Sequence, residues 1–278
     1  MPRAGLYSRR VISLNQRLRS LVLTAGTVAA AAGIGAAATF NYKKFRLRLA
    51  ENAAVLNETL PIHSQWWRDH AKEKGELLYV AIGDSAAQGI GASKPNRGYV
   101  GILADHIRLS TERTVRVINL SVSGATVHLA VRDQLPRFVK LDPDVVTIAI
   151  GANDIALWDA TLFETGIRQI FSALPAHAIV ADLPCFHLPH NERKVAVANG
   201  ILRGVAAEFG LSVVPLHTTT KRQGLRSVAT QFANDFFHPN DRGYRVWAEA
   251  FLPELSADIA RRIPQASADA QPGVGGPG

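Results

Sequence analysis

The sequence predicts an α/β fold, a three-layer, doubly wound sandwich about a central parallel five-stranded sheet. Three observations predict it. Short apolar runs rich in Val and Ile recur at Leu77–Ile82, Val115–Leu120, Val145–Ile150, Ala178–Leu183 and Leu211–Pro215. They lack the strict alternation of a half-exposed strand, as expected where both faces of a sheet are covered. Helical segments fall between them, at Tyr99–Leu109, His128–Phe138, Leu162–Ser172, Asn191–Phe209 and Asp241–Arg262. Strand and helix alternating over about 185 residues imply parallel pairing with helices on both sides.

Four stretches divide the chain: a basic and hydrophobic anchor or signal segment over 1–45, a helical connector over 46–76, the α/β domain over 77–263, and a tail over 264–278. From Leu21 to Tyr42 no residue is charged, and Arg or Lys flanks the stretch on both sides. At the helical rise it covers about 33 Å, enough for a bilayer core of about 30 Å. The favoured reading is an uncleaved membrane anchor, with Lys43, Lys44, Arg46 and Arg48 behind it as a stop. A cleaved signal is the second reading, with Ala36 and Ala38 in an A-x-A arrangement. Ser8-Arg9-Arg10-Val11-Ile12 resembles a twin-arginine export signal, and a buried Ala-rich helix is the bland alternative. The α/β domain is expected outside the cytoplasm; the basic counts on the two flanks are nearly balanced, so charge sets the orientation only weakly. The connector carries an apolar stripe of Leu47, Leu49, Val55, Leu56 and Leu60. Its Trp66-Trp67 pair reads either as interfacial aromatics or as packing against the domain. The tail, rich in Ser, Ala, Gln, Pro and Gly, cannot bury a core and is expected to be flexible.

Charge excludes one large class of function. The net charge is +8, but nine of the 31 Lys and Arg lie in residues 1–50, which hold no Asp or Glu. The remainder balances 22 basic against 23 acidic residues, so the domain shows no nucleic-acid footprint. Cys185 is the single cysteine, which rules out an internal disulfide and a multi-cysteine metal site. It reads as a small apolar residue at a strand end. His177, His187, His190 and His217 lie near strand ends or loops without a recognised ligand spacing, so no metal is expected. Gln88-Gly89-Ile90-Gly91 is not a nucleotide fingerprint, and no cofactor is expected.

In doubly wound, flavodoxin-like sheets the site lies beyond the carboxyl ends of the strands. The polar clusters of this chain fall there. The first strand runs into Gly83-Asp84-Ser85 with Gly89 following, the second into Ser121-Val122-Ser123-Gly124, and the third into Gly151-Ala152-Asn153-Asp154. Asp235-Phe236-Phe237-His238 precedes the last helix. These four blocks, in order over about residues 77–262, resemble the SGNH (GDSL-type) esterases and lipases. Ala86 stands where that family usually has Leu, a change that affects packing more than chemistry.

The residue types carry the chemistry without the name. A serine hydroxyl is a poor nucleophile until a base takes its proton, and His238 is the candidate base for Ser85. The imidazole needs a carboxylate to hold its tautomer and orientation, and Asp235, three residues earlier, is within reach on a tight loop. G-x-S-x-G is absent, which argues against the α/β-hydrolase solution. The resemblance assigns the same three roles, and implies an oxyanion hole from the backbone N–H of Ser85, that of Gly124 and the side-chain amide of Asn153. Asp84 and Asp154 read as helix caps and loop fixers. The chain is thus expected to be a cofactor-free serine esterase or lipase acting on small-molecule or lipid esters through an acyl-enzyme on Ser85. Alternatives are an O-deacetylase of carbohydrate or cell-envelope polymers, an acyltransferase, a non-catalytic membrane-tethered binding module and a membrane scaffold.

Overall fold

The computed structural model describes Glu51 and residues 58–263. The expected anchor or signal segment, the first part of the connector and the expected tail lie outside these residues. Among the described residues no helix is long and apolar enough to cross a membrane.

Five strands form one sheet: β1 (Leu77–Gly83), β2 (Val115–Asn119), β3 (Val145–Ala149), β4 (Ile179–Ala181) and β5 (Ser212–Val214). Their order is β2-β1-β3-β4-β5, and all four pairings are parallel. The chain therefore winds outward in both directions from β1, and the switch point falls between β1 and β3.

Alternate residues of each strand feed two separate cores, which is why the runs in the sequence are continuously apolar. On one face Tyr79 and Ala81 of β1, Val145 and Ala149 of β3, and Ile179 and Ala181 of β4 share a core with helix α2 (Tyr99–Thr111) and the last helix, α9 (Asp241–Arg262). Tyr99 stacks on Phe251 there, with ring centroids 5.4 Å apart and planes 8° off parallel. Burying each such ring contributes about 1.5–3 kcal/mol. On the other face Val80 and Ile82, Val146 and Ile148, and Val180 pack against α3 (Val127–Asp133), α5 (Ala160–Phe171) and α6 (Pro189–Glu208).

Residues 58–70 form helix α1. Trp67 is buried in the first of these cores and Trp66 packs at its margin, so the pair packs against the domain. The helix expected over His128–Phe138 is two, α3 and the short α4 (Leu135–Phe138). Pro136 has no N–H to continue the α3 ladder, and the chain turns at Gln134. Two further short helices, α7 (Leu216–Lys221) and α8 (Arg226–Thr230), connect β5 to the Asp235 segment.

Candidate active site

The turn after β1 carries Ser85, which is 5 % exposed. The side chain of Asp84 folds back to accept the backbone N–H of Ala86 at 2.9 Å, a local turn that fixes the serine. Behind it, the Gln134 amide holds the last residue of β1, accepting the Gly83 N–H at 3.1 Å and donating to its carbonyl at 2.8 Å.

The Asp235–His238 loop is built by its own short-range bonds. Asp235 Oδ1 accepts the N–H groups of Phe237 and His238 at 3.0 and 3.1 Å. The Ala233 N–H donates to the His238 carbonyl at 2.8 Å. Two residues on, Asn240 caps α9 by accepting from Arg242 and Gly243. Gly91 lets the two loops close on each other: a Cβ there would lie 2.5 Å from the Pro239 carbonyl oxygen and 3.0 Å from the His238 Cβ, at a φ of +92°. A side chain would clash at the first and strain the backbone besides.

These loops bring Ser85, His238 and Asp235 into one hydrogen-bonded chain. Ser85 Oγ lies 2.9 Å from His238 Nε2, and His238 Nδ1 lies 2.6 Å from Asp235 Oδ2. An ionised carboxylate only accepts, so Nδ1 carries the proton and Nε2 is left to accept the serine hydroxyl. Burial raises the Asp235 pKa, but the bonds from the His238 ring and from the Phe237 N–H outweigh it, and the net shift is downward. The carboxylate is thus held ionised.

Gly124 lies exposed in the turn after β2 at a φ of +76°, and Asn153 opens the turn after β3. The Asn153 Nδ2 donates to the Ala125 carbonyl at 2.9 Å, which ties these two turns together. Its second hydrogen faces Asp84 Oδ2 across a long 3.4 Å. The Val122 N–H donates to the Gly83 carbonyl at 3.3 Å and links the β2 turn to the β1 end. Among the described residues, the backbone N–H groups of Ser85 and Gly124 have no acceptor within the protein.

Asp84 and Asp154 do as expected in kind, fixing loops and a helix start. Asp154 accepts the Val127 N–H of the first residue of α3, Oδ2 at 3.0 Å and Oδ1 at 3.3 Å. Burial raises both carboxyls, each to about 6 against the hydrogen bonds they accept. The Asp154 charge adds to the shift of Asp84, and the His238 charge opposes it.

Several supporting residues gave no signal in the sequence. Gln134 lies inside a stretch that reads as plain helix. The Gln88 carbonyl, three residues past the serine, accepts both His63 Nδ1–H and Trp67 Nε1–H of α1 at 3.0 Å. Gln88 Nε2 donates to the Ser121 carbonyl at 2.9 Å. None of these contacts follows from local spacing.

A buried parallel sheet with a hydrogen-bonded Ser–His–Asp chain at its carboxyl edge defines a class of hydrolytic enzyme. The model of the GDSL-like Lipase/Acylhydrolase family matches residues 81–246, and the chain belongs to that family. It is a carboxylic ester hydrolase of the GDSL/SGNH type. No curated protein matches it. Among solved structures it is similar to LAE5, an α/β hydrolase enzyme from the metagenome of Lake Arreo, Spain, with 26 % identity over 66 % of this chain and 96 % of that one and a TM-score of 0.54. TesA shares the fold at 21 % identity over 65 % and 99 % of the two chains, with a TM-score of 0.55. So does Axe2, an acetyl xylan esterase from Geobacillus stearothermophilus, at 21 % identity over 65 % and 94 %, with a TM-score of 0.52.

Proposed function

We propose that the enzyme works through an acyl-enzyme on Ser85, with His238 as its base and Asp235 holding the imidazole. The observation that supports this reading is the continuous chain of hydrogen bonds, 2.9 and 2.6 Å long, from Ser85 Oγ through His238 to Asp235. Ser85 Oγ attacks the ester carbonyl carbon while its proton passes to His238 Nε2. The carbonyl oxygen becomes an oxyanion, received by the N–H groups of Ser85 and Gly124 and by Asn153 Nδ2. The carbon–oxygen bond of the ester then breaks, and His238 returns the proton to the departing alkoxide. Water repeats the sequence on the acyl-enzyme: His238 takes its proton, the hydroxide adds, and Ser85 leaves protonated. Asp235 remains a carboxylate throughout.

The surroundings of the base favour esters with an apolar acyl or alcohol part. The exposed Phe237 ring stands edge-on to the His238 imidazole, with centroids 5.0 Å apart. Val122, Leu157 and Phe236, on the site-bearing loops, are exposed as well. O-deacetylation of carbohydrate or envelope polymers would use the same groups. Wild-type protein should react with a fluorophosphonate and hydrolyse short-chain p-nitrophenyl esters, and Ser85→Ala should do neither. Equal labelling of the variant would remove Ser85 from its role; turnover of acetylated saccharides alone would reassign the substrate.

The proposal extends to location: an anchored or exported protein whose catalytic domain lies outside the cytoplasm. It rests on the uncharged Leu21–Tyr42 stretch between basic flanks. The full chain should sediment with membranes and resist salt extraction. Recovery of intact chain wholly in the soluble cytosol would overturn it.

A further inference from the structure

Beyond the serine centre, β4 and β5 end in a second constellation. Cys185 follows β4, Glu192 lies in the first turn of α6 and His217 in the first turn of α7. One donor atom from each, sulfur, oxygen and nitrogen, lies within 4.8 Å of the other two. His217 Nε2 is 2.9 Å from a Glu192 oxygen, Oε2. The group is shielded: Cys185 is 8 % exposed, and the His217 and Glu192 side chains are 19 and 23 % exposed.

Each residue is also held from outside the group. The other Glu192 oxygen accepts the Phe186 N–H at 2.6 Å. The Cys185 N–H donates to Thr220 Oγ1 at 2.9 Å, and the His217 N–H donates to Asp182 Oδ1 at 2.7 Å. Such outer partners are what orient the ligands of a metal. Without a metal, the His217–Glu192 pair and the contact of Cys185 Sγ with His187 Nδ1 hold the three groups together.

The geometry points to a binding site for a borderline divalent transition-metal ion, Zn²⁺ by donor type, formed by Cys185, Glu192 and His217. Thiolate, imidazole and carboxylate together suit zinc, while thiolate disfavours Mg²⁺ and Ca²⁺. Zinc bonds of about 2.0–2.3 Å place tetrahedral donors about 3.3–3.7 Å apart, within the 4.8 Å span of the group. On binding, the thiol proton leaves to solvent. His217 then keeps its remaining proton on Nδ1 and presents Nε2 to the metal. His187 Nδ1, 3.7 Å from Cys185 Sγ, is a further nitrogen donor beside the site. The ion would cross-link the β4 end, α6 and α7, with no part in the chemistry at Ser85.

The test uses the full chain, stripped with a chelator and titrated with Co²⁺. A single equivalent should bind with a thiolate-to-cobalt charge-transfer band, and Zn²⁺ should displace it. Cys185→Ser should abolish the band. Glu192→Gln and His217→Gln should each weaken binding by roughly tenfold or more. Ser85→Ala should bind like the wild type, which separates this site from the ester site. A second measurement needs no variant: an equivalent of Zn²⁺ should slow alkylation of Cys185, the single cysteine, by about tenfold or more. Absence of the band, its persistence in a folded Cys185→Ser protein, or alkylation that Zn²⁺ leaves unchanged would each overturn the site.

Discussion

The side chain of Gln134 pairs with the peptide of Gly83 as a neighbouring strand would, accepting its N–H at 3.1 Å and donating to its carbonyl at 2.8 Å. Strand β2 has already ended at this level, since its pairing with β1 stops at Ala81 and Asn119. The Gln134 amide thus supplements the bond that the Val122 N–H makes to the Gly83 carbonyl and supplies the acceptor that the chain past β2 does not. Asn199 pairs in the same way with the Leu183 peptide past β4, with bonds of 2.7 and 3.3 Å. Buried backbone groups demand such partners.

Replacing Gln134 with Leu should therefore strand the Gly83 N–H in the core. The expected loss is about 1–3 kcal/mol of stability, read as a lower urea midpoint, together with a lower kcat as the β1 end loosens. Gln134→Glu should be worse, because a buried carboxylate cannot donate to the Gly83 carbonyl. A wild-type midpoint for Gln134→Leu would show that another group satisfies this peptide.

Asn153, in its proposed role as an oxyanion donor, acts in the transition state and not in the ground state. Its second hydrogen faces Asp84 Oδ2 over 3.4 Å, a weak contact that an oxyanion would replace. Asn153→Ala should lower kcat by roughly 10²–10³ with little change in KM. Asn153→Asp should be at least as damaging, because it sets a second carboxylate beside Asp84 and against the oxyanion. An unchanged kcat in folded Asn153→Ala protein would place the donor elsewhere.

The raised carboxyls give stability a distinct slope with pH. Burial raises Asp84 to about 6 in the folded protein, above its ordinary value near 3.8. Between these values the folded state binds more protons than the unfolded one. The contribution of Asp84 is therefore fully present below about 4 and is lost as pH rises through about 6. Asp154, raised likewise to about 6, acts in the same direction. His63, lowered by burial against its bond to Gln88, acts oppositely toward its ordinary 6.5. Comparing Asp84→Asn with wild type isolates one of these contributions. The variant should lose less stability than wild type between pH 4 and 6, measured by denaturant unfolding. Parallel curves would mean that Asp84 titrates normally.

Gly91 should tolerate no side chain. Gly91→Ala meets the Pro239 carbonyl oxygen at 2.5 Å and keeps a φ of +92°. Strain of about 1–3 kcal/mol is expected, relieved in part by displacing His238. Reduced kcat at nearly constant KM, with fluorophosphonate labelling slowed in parallel, is the outcome that fits. Full activity would show that the two loops move independently.

The strands and the four polar blocks were legible because a doubly covered parallel strand leaves an unmistakable apolar run, and chemistry in such sheets gathers at its end. Ser85, Asp235 and His238 could be singled out by residue type and order, and the structure brings the three into one hydrogen-bonded chain. The two short helices α7 and α8 were not, since Leu216–Lys221 and Arg226–Thr230 are too brief and polar to show a period. The expected fourth strand ran on to Leu183, two residues too far at that end, because sequence pattern cannot reveal that Asn199 takes over the Leu183 peptide. The Cys185, Glu192 and His217 group was invisible for a related reason: its members meet only when β4, α6 and α7 are assembled.

Helix α1 has a consequence for where the enzyme begins. His63 and Trp67 both end on the Gln88 carbonyl, one turn beyond Ser85, and Trp67 fills a place in the core. A shortened chain starting at β1 would keep every residue of the Ser–His–Asp chain and the whole sheet. It would nevertheless lose both donors and uncover part of the core that Trp67 fills. An active fragment should therefore retain His63 and Trp67, and trimming past His63 should lower both stability and turnover.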